Sequence, residues 1–177
     1  MPARIIASIE NNPPAATAAA VVALGGAATL LGAWFFQYVL GYPPCPLCLE
    51  QRIPYYVAVP LGAIVATAAA RSAPRRLVTG GLAVLALAML IGAALGVYHA
   101  GVEWKWWAGP QDCSGPLDPL GSGNLLRQLQ SINIVRCDEA PWRFLGLSLA
   151  GYNALISLVL AAVAAWGMVA QQKKSAP

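Results

Sequence analysis

The sequence predicts an all-α integral membrane protein, a four-helix bundle with a long outer loop that carries a short amphipathic helix. The first observation is compositional. Of 177 residues, 58% are hydrophobic and 10% charged, and the mean hydropathy is +0.60, which is too apolar for an ordinary soluble domain. The second is that Ala15 to Leu40, Ile53 to Ala70, Leu77 to Tyr98 and Phe144 to Ala170 contain no Asp, Glu, Lys or Arg. Each is long enough, or nearly so, to cross a hydrocarbon core of about 30 Å as a helix rising about 1.5 Å per residue. The third is the segregation of basic residues. Arg4, Arg71, Arg75, Arg76, Lys173 and Lys174 all fall on one side of a four-span chain. One membrane domain over 1–177 follows, with spans near 15–40, 49–70, 77–98 and 144–170 and an outer loop at 99–143.

By the positive-inside rule the basic side is cytoplasmic, so both termini are expected there. The 99–143 loop carries Lys105, Arg127, Arg136 and Arg143 against Glu103, Asp112, Asp118, Asp138 and Glu139. It has no basic excess and belongs outside. The net charge of +4 is then a matter of topology and needs no nucleic-acid partner. An Ala-rich run at Ala15 to Ala20 resembles a processing site, but the apolar stretch is longer than a usual signal-peptide core of about 7 to 15 residues. An uncleaved first helix is expected.

In the first span, Gly25 and Gly26 permit close approach of a neighbour. Trp34, Phe35, Phe36, Gln37 and Tyr38 mark its outer end, as an interfacial belt or as flanks of a flat apolar ligand. Pro54 and Pro60 free backbone carbonyls in the second span, which neighbouring helices can tolerate. The third contains Gly92-x-x-x-Gly96, a helix-packing pair, and ends at Tyr98-His99. In the outer loop, Trp104, Trp106 and Trp107 suit a membrane interface. Gly, Pro and Ser around Cys113 make a segment open to a protein partner. Residues 124–135 read as a short helix with Leu125, Leu126, Leu129 and Ile132 on one face. Cys137 follows, and Pro141-Trp142-Arg143 turns the chain into the last span.

The chemistry centres on Pro43-Pro44-Cys45-Pro46-Leu47-Cys48-Leu49-Glu50-Gln51-Arg52. Two thiols separated by two residues can hold or release an electron pair with little backbone movement. Pro46 suits the first position of a helix, with Cys45 just outside it and Cys48 in its first turn. Unpaired N–H groups and the helix dipole there favour thiolate, so Cys48 is expected to be the better nucleophile. Arg52 lies one turn further on and adds positive charge beside that sulfur. Such a pair can serve an acceptor that gains negative charge, and a quinone is one. His99 emerges at the same outer level and can donate a hydrogen bond or a proton. All four cysteines fall on the oxidising face.

C-x-x-C also occurs in zinc sites and inert disulfides. Zinc wants four ligands, whereas Cys113 and Cys137 have 23 residues between them and His99 is the lone histidine. No metal site is therefore expected. A structural four-span protein with two inert disulfides explains composition and topology, but not Arg52 behind Cys48 or the prolines around the pair.

Cys45-Pro-Leu-Cys48-Leu-Glu-Gln-Arg52, Tyr98-His99-Ala-Gly-Val-Glu-Trp104, Cys113, and Cys137-Asp-Glu-Ala-Pro-Trp142-Arg143 with Gly146-Leu-Ser-Leu-Ala-Gly151 resemble the DsbB family of disulfide bond formation proteins. The likeness runs from about Trp34 to Ser157. It implies a thiol:quinone oxidoreductase of the bacterial inner membrane that reoxidises a periplasmic DsbA-like dithiol oxidase. Cys113 would meet the partner with Cys137 as its companion. Electrons would pass to Cys45 and Cys48, then to ubiquinone or menaquinone held near Cys48, Arg52 and His99. The vitamin K epoxide reductase family is a rival, but it places its loop cysteines before the C-x-x-C. Here the order is reversed. Glu50 and Gln51 receive no role.

Overall fold

The computed structural model describes residues 14–110 and 136–173. The chain runs through α1 (Pro14–Trp34), a π-helical turn (Phe35–Val39), α2 (Pro46–Glu50), α3 (Ile53–Ala70), α4 (Arg75–Glu103), strands β1 (Arg143–Phe144) and β2 (Leu147–Ser148), and α5 (Leu149–Lys173). Four segments, Pro14–Val39, Pro46–Ala70, Arg75–Glu103 and Leu149–Gln171, are long and apolar enough to cross a membrane.

α1, α3, α4 and α5 pack in that order as a closed ring. Val22, Tyr55, Leu82, Leu85, Met89 and Leu160 meet in its interior, while Leu24, Leu31, Ile64, Leu87 and Val159 face outward. Helices apolar all round suit a membrane span, because lipid accepts the outer face. With no hydrophobic drive between helices in lipid, close backbone approach carries the packing. A Cβ at Gly96 would lie 2.7 Å from the Ala154 backbone nitrogen on α5, and one at Gly62 would lie 3.0 Å from the Ala19 carbonyl on α1. The glycine pair of the third span thus serves the α4–α5 contact.

Three boundaries differ from those read in the sequence. The 49–70 span is two helices, α2 and α3, joined by a tight turn at Gln51 and Arg52. α4 extends beyond Tyr98 to Glu103, because His99, Ala100, Val102 and Glu103 are buried and continue the helical face. His99 is therefore a helix residue, not the first residue of a loop. α5 starts at Leu149 instead of 144, because β1 and β2 pair antiparallel with Arg143 opposite Ser148. Leu145 (φ 49°) and Gly146 (φ 82°) make the turn, and two consecutive positive φ values are what a tight hairpin needs. The helical bundle is as expected, and this small hairpin is an addition at its outer end. The expected amphipathic helix at 124–135 and Cys113 lie outside the described residues.

Two local features set the site in place. The π-helical turn ends α1, and Gly41 in the left-handed region (φ 73°) turns the chain toward the cysteine motif. Ser148 Oγ accepts from the Gly151 N–H at 3.2 Å and so caps α5.

Candidate functional site

Cys45 is the N-cap of α2, in extended geometry (φ −75°, ψ 166°), and Pro46 opens the helix. Its Sγ accepts from the Cys48 backbone N–H at 3.3 Å, and a hydrogen bond joins the two sulfurs at 2.8 Å. Both cysteines are free thiols. The sequence placed the helix-terminus benefit on Cys48; the structure gives the capping position to Cys45. The hydrogen bond with Cys48, the His99 imidazole beside it and the Cys48 N–H hold the Cys45 thiol down at about 5 against the opposing effect of burial.

The two sulfurs face different surroundings. Cys45 and Leu47 cluster with Cys137, which is 1% exposed and disulfide-bonded. Cys48 instead lines a cavity of about 570 Å³ between α1, α2, α3 and α5. Leu30, Ala33, Phe36, Trp142, Phe144 and Ile156 give it apolar walls, and Gln51, Arg52, Tyr55 and Asn153 supply polar groups. Arg52 Nη1 donates to Gln37 Oε1 at 2.7 Å. A guanidinium has five N–H donors, so this bond fixes the side chain while leaving others for a ligand. Of the aromatic belt, Phe36 joins the cavity wall, whereas Tyr38 is largely exposed.

His99 is not among the cavity-lining residues. It lies on the Cys45 side of the pair, buried, with Nε2 3.7 Å from Cys45 Sγ and 3.2 Å from the Cys137 carbonyl oxygen. Gln51 Nε2 lies 2.6 Å from His99 Nδ1. The Gln51 Oε1 accepts from Asn153 Nδ2 at 2.7 Å. Tyr55 donates its hydroxyl to Asn153 Oδ1 at 2.7 Å and lies 2.6 Å from Ser157 Oγ. An unbroken chain of polar side chains thus runs from the thiol pair to the cavity wall. Among them, Gln51 fixes the imidazole orientation.

Glu103, one turn beyond His99, has Oε1 3.8 Å from His99 Nε2. Ser148 bonds its carboxylate, and Oε2 is buried without a hydrogen-bond partner. At the surface, Asp138 pairs with Lys105 and with Arg136, the latter at 2.8 Å. The two cations hold the Asp138 carboxyl below its usual range, Arg136 most strongly. The Lys105 pair tethers the Cys137 segment to the end of α4, and Trp107 stacks on Tyr98.

Sequence reasoning missed Gln37, Gln51, Tyr55, Glu103 and Asn153. A signal existed for Gln51 and Asn153: uncharged but polar amides in or beside apolar spans are expensive unless partnered, and often functional. Their partners lie 48 to 102 positions away, beyond what periodicity can reveal.

A thiol pair capped onto a helix end, with a cavity beside one sulfur and a further disulfide-bonded cysteine beside the other, defines a membrane-embedded disulfide oxidoreductase. The family model described as "Disulfide bond formation protein DsbB" matches residues 15–167. The chain belongs to the DsbB family. It is 34% identical over 152 residues to the Disulfide bond formation protein B of Aromatoleum aromaticum, covering 82% of this chain and 87% of that one. It is 30% identical over 165 residues to that of Verminephrobacter eiseniae, covering 88% and 89%. Disulfide bond formation protein B 2 of Pseudomonas aeruginosa is 33% identical over 161 residues, 82% and 88% of the two chains. No solved structure matches the chain.

Proposed function

We propose that the protein is a thiol:quinone oxidoreductase of the bacterial inner membrane, with its cysteines on the periplasmic side and both termini cytoplasmic. It takes an electron pair from a DsbA-like thioredoxin-fold partner. The observation that carries this reading is the division of surroundings at the pair, with Cys45 against Cys137 and Cys48 in the wall of the cavity.

The partner's dithiol reduces a Cys113–Cys137 disulfide, leaving the partner oxidised. The Cys113 and Cys137 thiols then reduce the disulfide formed by Cys45 and Cys48. Cys45 is the sulfur next to Cys137 and so enters the mixed disulfide while the Cys48 sulfur is released; Cys113 then closes the disulfide with Cys137, and Cys45 leaves as its stabilised thiolate. Cys48 delivers the electron pair to the cavity as the Cys45–Cys48 disulfide closes again. The cavity fits a quinone: its walls are apolar and aromatic, and polar groups gather at the Cys48 end. When bound, a quinone supplies a sink for two electrons and two protons. Arg52 offers positive charge where negative charge develops, and Gln51 and Asn153 offer amide groups. A DsbA-type oxidase sits near about −120 mV, so glutathione is too weak an oxidant to regenerate it and a stronger acceptor is required.

The test is quinone reduction by purified protein in detergent, with a soluble quinone analogue and a reduced DsbA-type protein. One quinone lost per disulfide formed in the partner is the expected stoichiometry. Cys48→Ser should abolish quinone reduction, while Cys113→Ser should leave a pair that still reduces quinone but no longer oxidises the partner. Undiminished oxidation of the partner by Cys113→Ser refutes the assigned roles.

A further inference from the structure

Three donor atoms from two helical segments converge at the thiol pair. Among the described residues, Cys45 Sγ, Cys48 Sγ and a ring nitrogen of His99 all lie within 4.8 Å of one another. In a tetrahedral zinc site with Zn–S near 2.3 Å and Zn–N near 2.05 Å, neighbouring S and N ligands are about 3.5 Å apart. The Cys45 Sγ to His99 Nε2 separation is 3.7 Å. Two sulfurs on one such ion stand about 3.8 Å apart, which a small side-chain rotation opens from 2.8 Å. Glu103 supplies an independent observation. Its Oε2 is buried with no hydrogen-bond partner, an expensive state for a carboxylate oxygen, and its Oε1 is 3.8 Å from His99 Nε2.

We propose that the reduced protein binds one thiophilic divalent cation of the Zn²⁺ or Cd²⁺ class, held by Cys45, Cys48 and His99 and completed by the Glu103 carboxylate. The cation takes the place of the thiol protons that remain on the pair, and no electrons move. The site exists only in the dithiol state, because closing the Cys45–Cys48 disulfide removes both sulfur ligands. Cation and disulfide are thus mutually exclusive, and the bound cation inhibits the oxidoreductase. Gln51 is the positioning residue. Coordination through Nε2 requires the His99 proton on Nδ1, and a half-turn of the Gln51 amide presents its oxygen to that proton. The spacing argument against zinc counted ligands along the chain; the fold recruits His99 and Glu103 from α4.

The experiment uses full-length protein in detergent with Cys113 and Cys137 replaced by Ser, which leaves Cys45 and Cys48 as its thiols. The reduced protein is titrated with Cd²⁺, following thiolate-to-metal absorbance, and with Zn²⁺ in equilibrium dialysis. One ion per chain and at least tenfold weaker binding after oxidation of the pair are expected. His99→Ala and Gln51→Leu should each weaken binding by about 10- to 100-fold. X-ray absorption of the Zn²⁺ form provides a readout that does not depend on those variants folding, with two sulfurs near 2.3 Å and nitrogen or oxygen near 2.0–2.1 Å. Equal binding by oxidised protein, no binding by reduced protein, or a zinc shell without two sulfurs overturns the proposal.

Discussion

Replacing Cys48 by Ala tests how the pair divides its charge. Cys45 holds a thiolate at about 5, against an ordinary thiol value of 9.0, chiefly through its hydrogen bond with Cys48 and secondarily through His99 and the backbone N–H of residue 48. At pH 7 this makes about 99% of Cys45 thiolate, where an ordinary thiol has about 1%. The substitution removes the side-chain hydrogen bond but keeps the backbone N–H and His99. A hydrogen bond to a charged group is worth about 1.5–3 kcal/mol, so the midpoint should rise from about 5 to between about 6 and 7. At pH 6 the thiolate fraction should then fall from about nine-tenths to between about one-half and one-tenth. Thiolate absorbance in the ultraviolet measures this directly, with Cys113 and Cys137 replaced by Ser, reductant present and a chelator to exclude metals. A midpoint unmoved by Cys48→Ala, or one near 9 with both cysteines present, refutes the reasoning. The linkage sign follows from the same values. Because the folded value lies below the unfolded one, the thiolate's contribution to stability is complete above about pH 9 and is lost as pH falls through about 5. Reduced protein should become easier to unfold over that window, and Cys45→Ser should flatten the dependence.

Arg52→Ala should raise the apparent KM for a soluble quinone by about 10- to 100-fold, the value of a charge-assisted hydrogen bond; an unchanged KM removes Arg52 from the site. Tyr55→Phe leaves Asn153 Oδ1 and Ser157 without the hydroxyl that both meet, and should cost about 1–3 kcal/mol of stability in detergent unfolding. Gly96→Ala forces a methyl against the Ala154 backbone and should destabilise the bundle by about 1–3 kcal/mol. Gly80→Ala meets nothing within 4 Å and should lower no unfolding midpoint; equal losses at both positions refute the close-contact account of α4 and α5.

Hydropathy and residue spacing determined much of this protein. Lipid rewards uninterrupted apolar runs, so the four spans are legible to within a few residues, and Pro46 after Cys45 marks a helix start from local sterics alone. The short ladder at Arg143–Phe144 escaped that reading because Phe144-Leu145-Gly146-Leu147 is as apolar as a helix. What separates the two is the pair of positive φ values at Leu145 and Gly146. Continuation of α4 to Glu103 escaped it because a polar His and Glu look like a helix end until the burial around them is known. Only the tertiary structure decided which sulfur faces Cys137 and which faces the cavity. It also decided that His99 lies beside Cys45, and that Gln51 is bound to partners on α4 and α5. Those are relations between helices in a ring. The membrane's demand for apolar surface fixes each helix's length, whereas close packing fixes their rotations, and rotation decides which polar side chains meet.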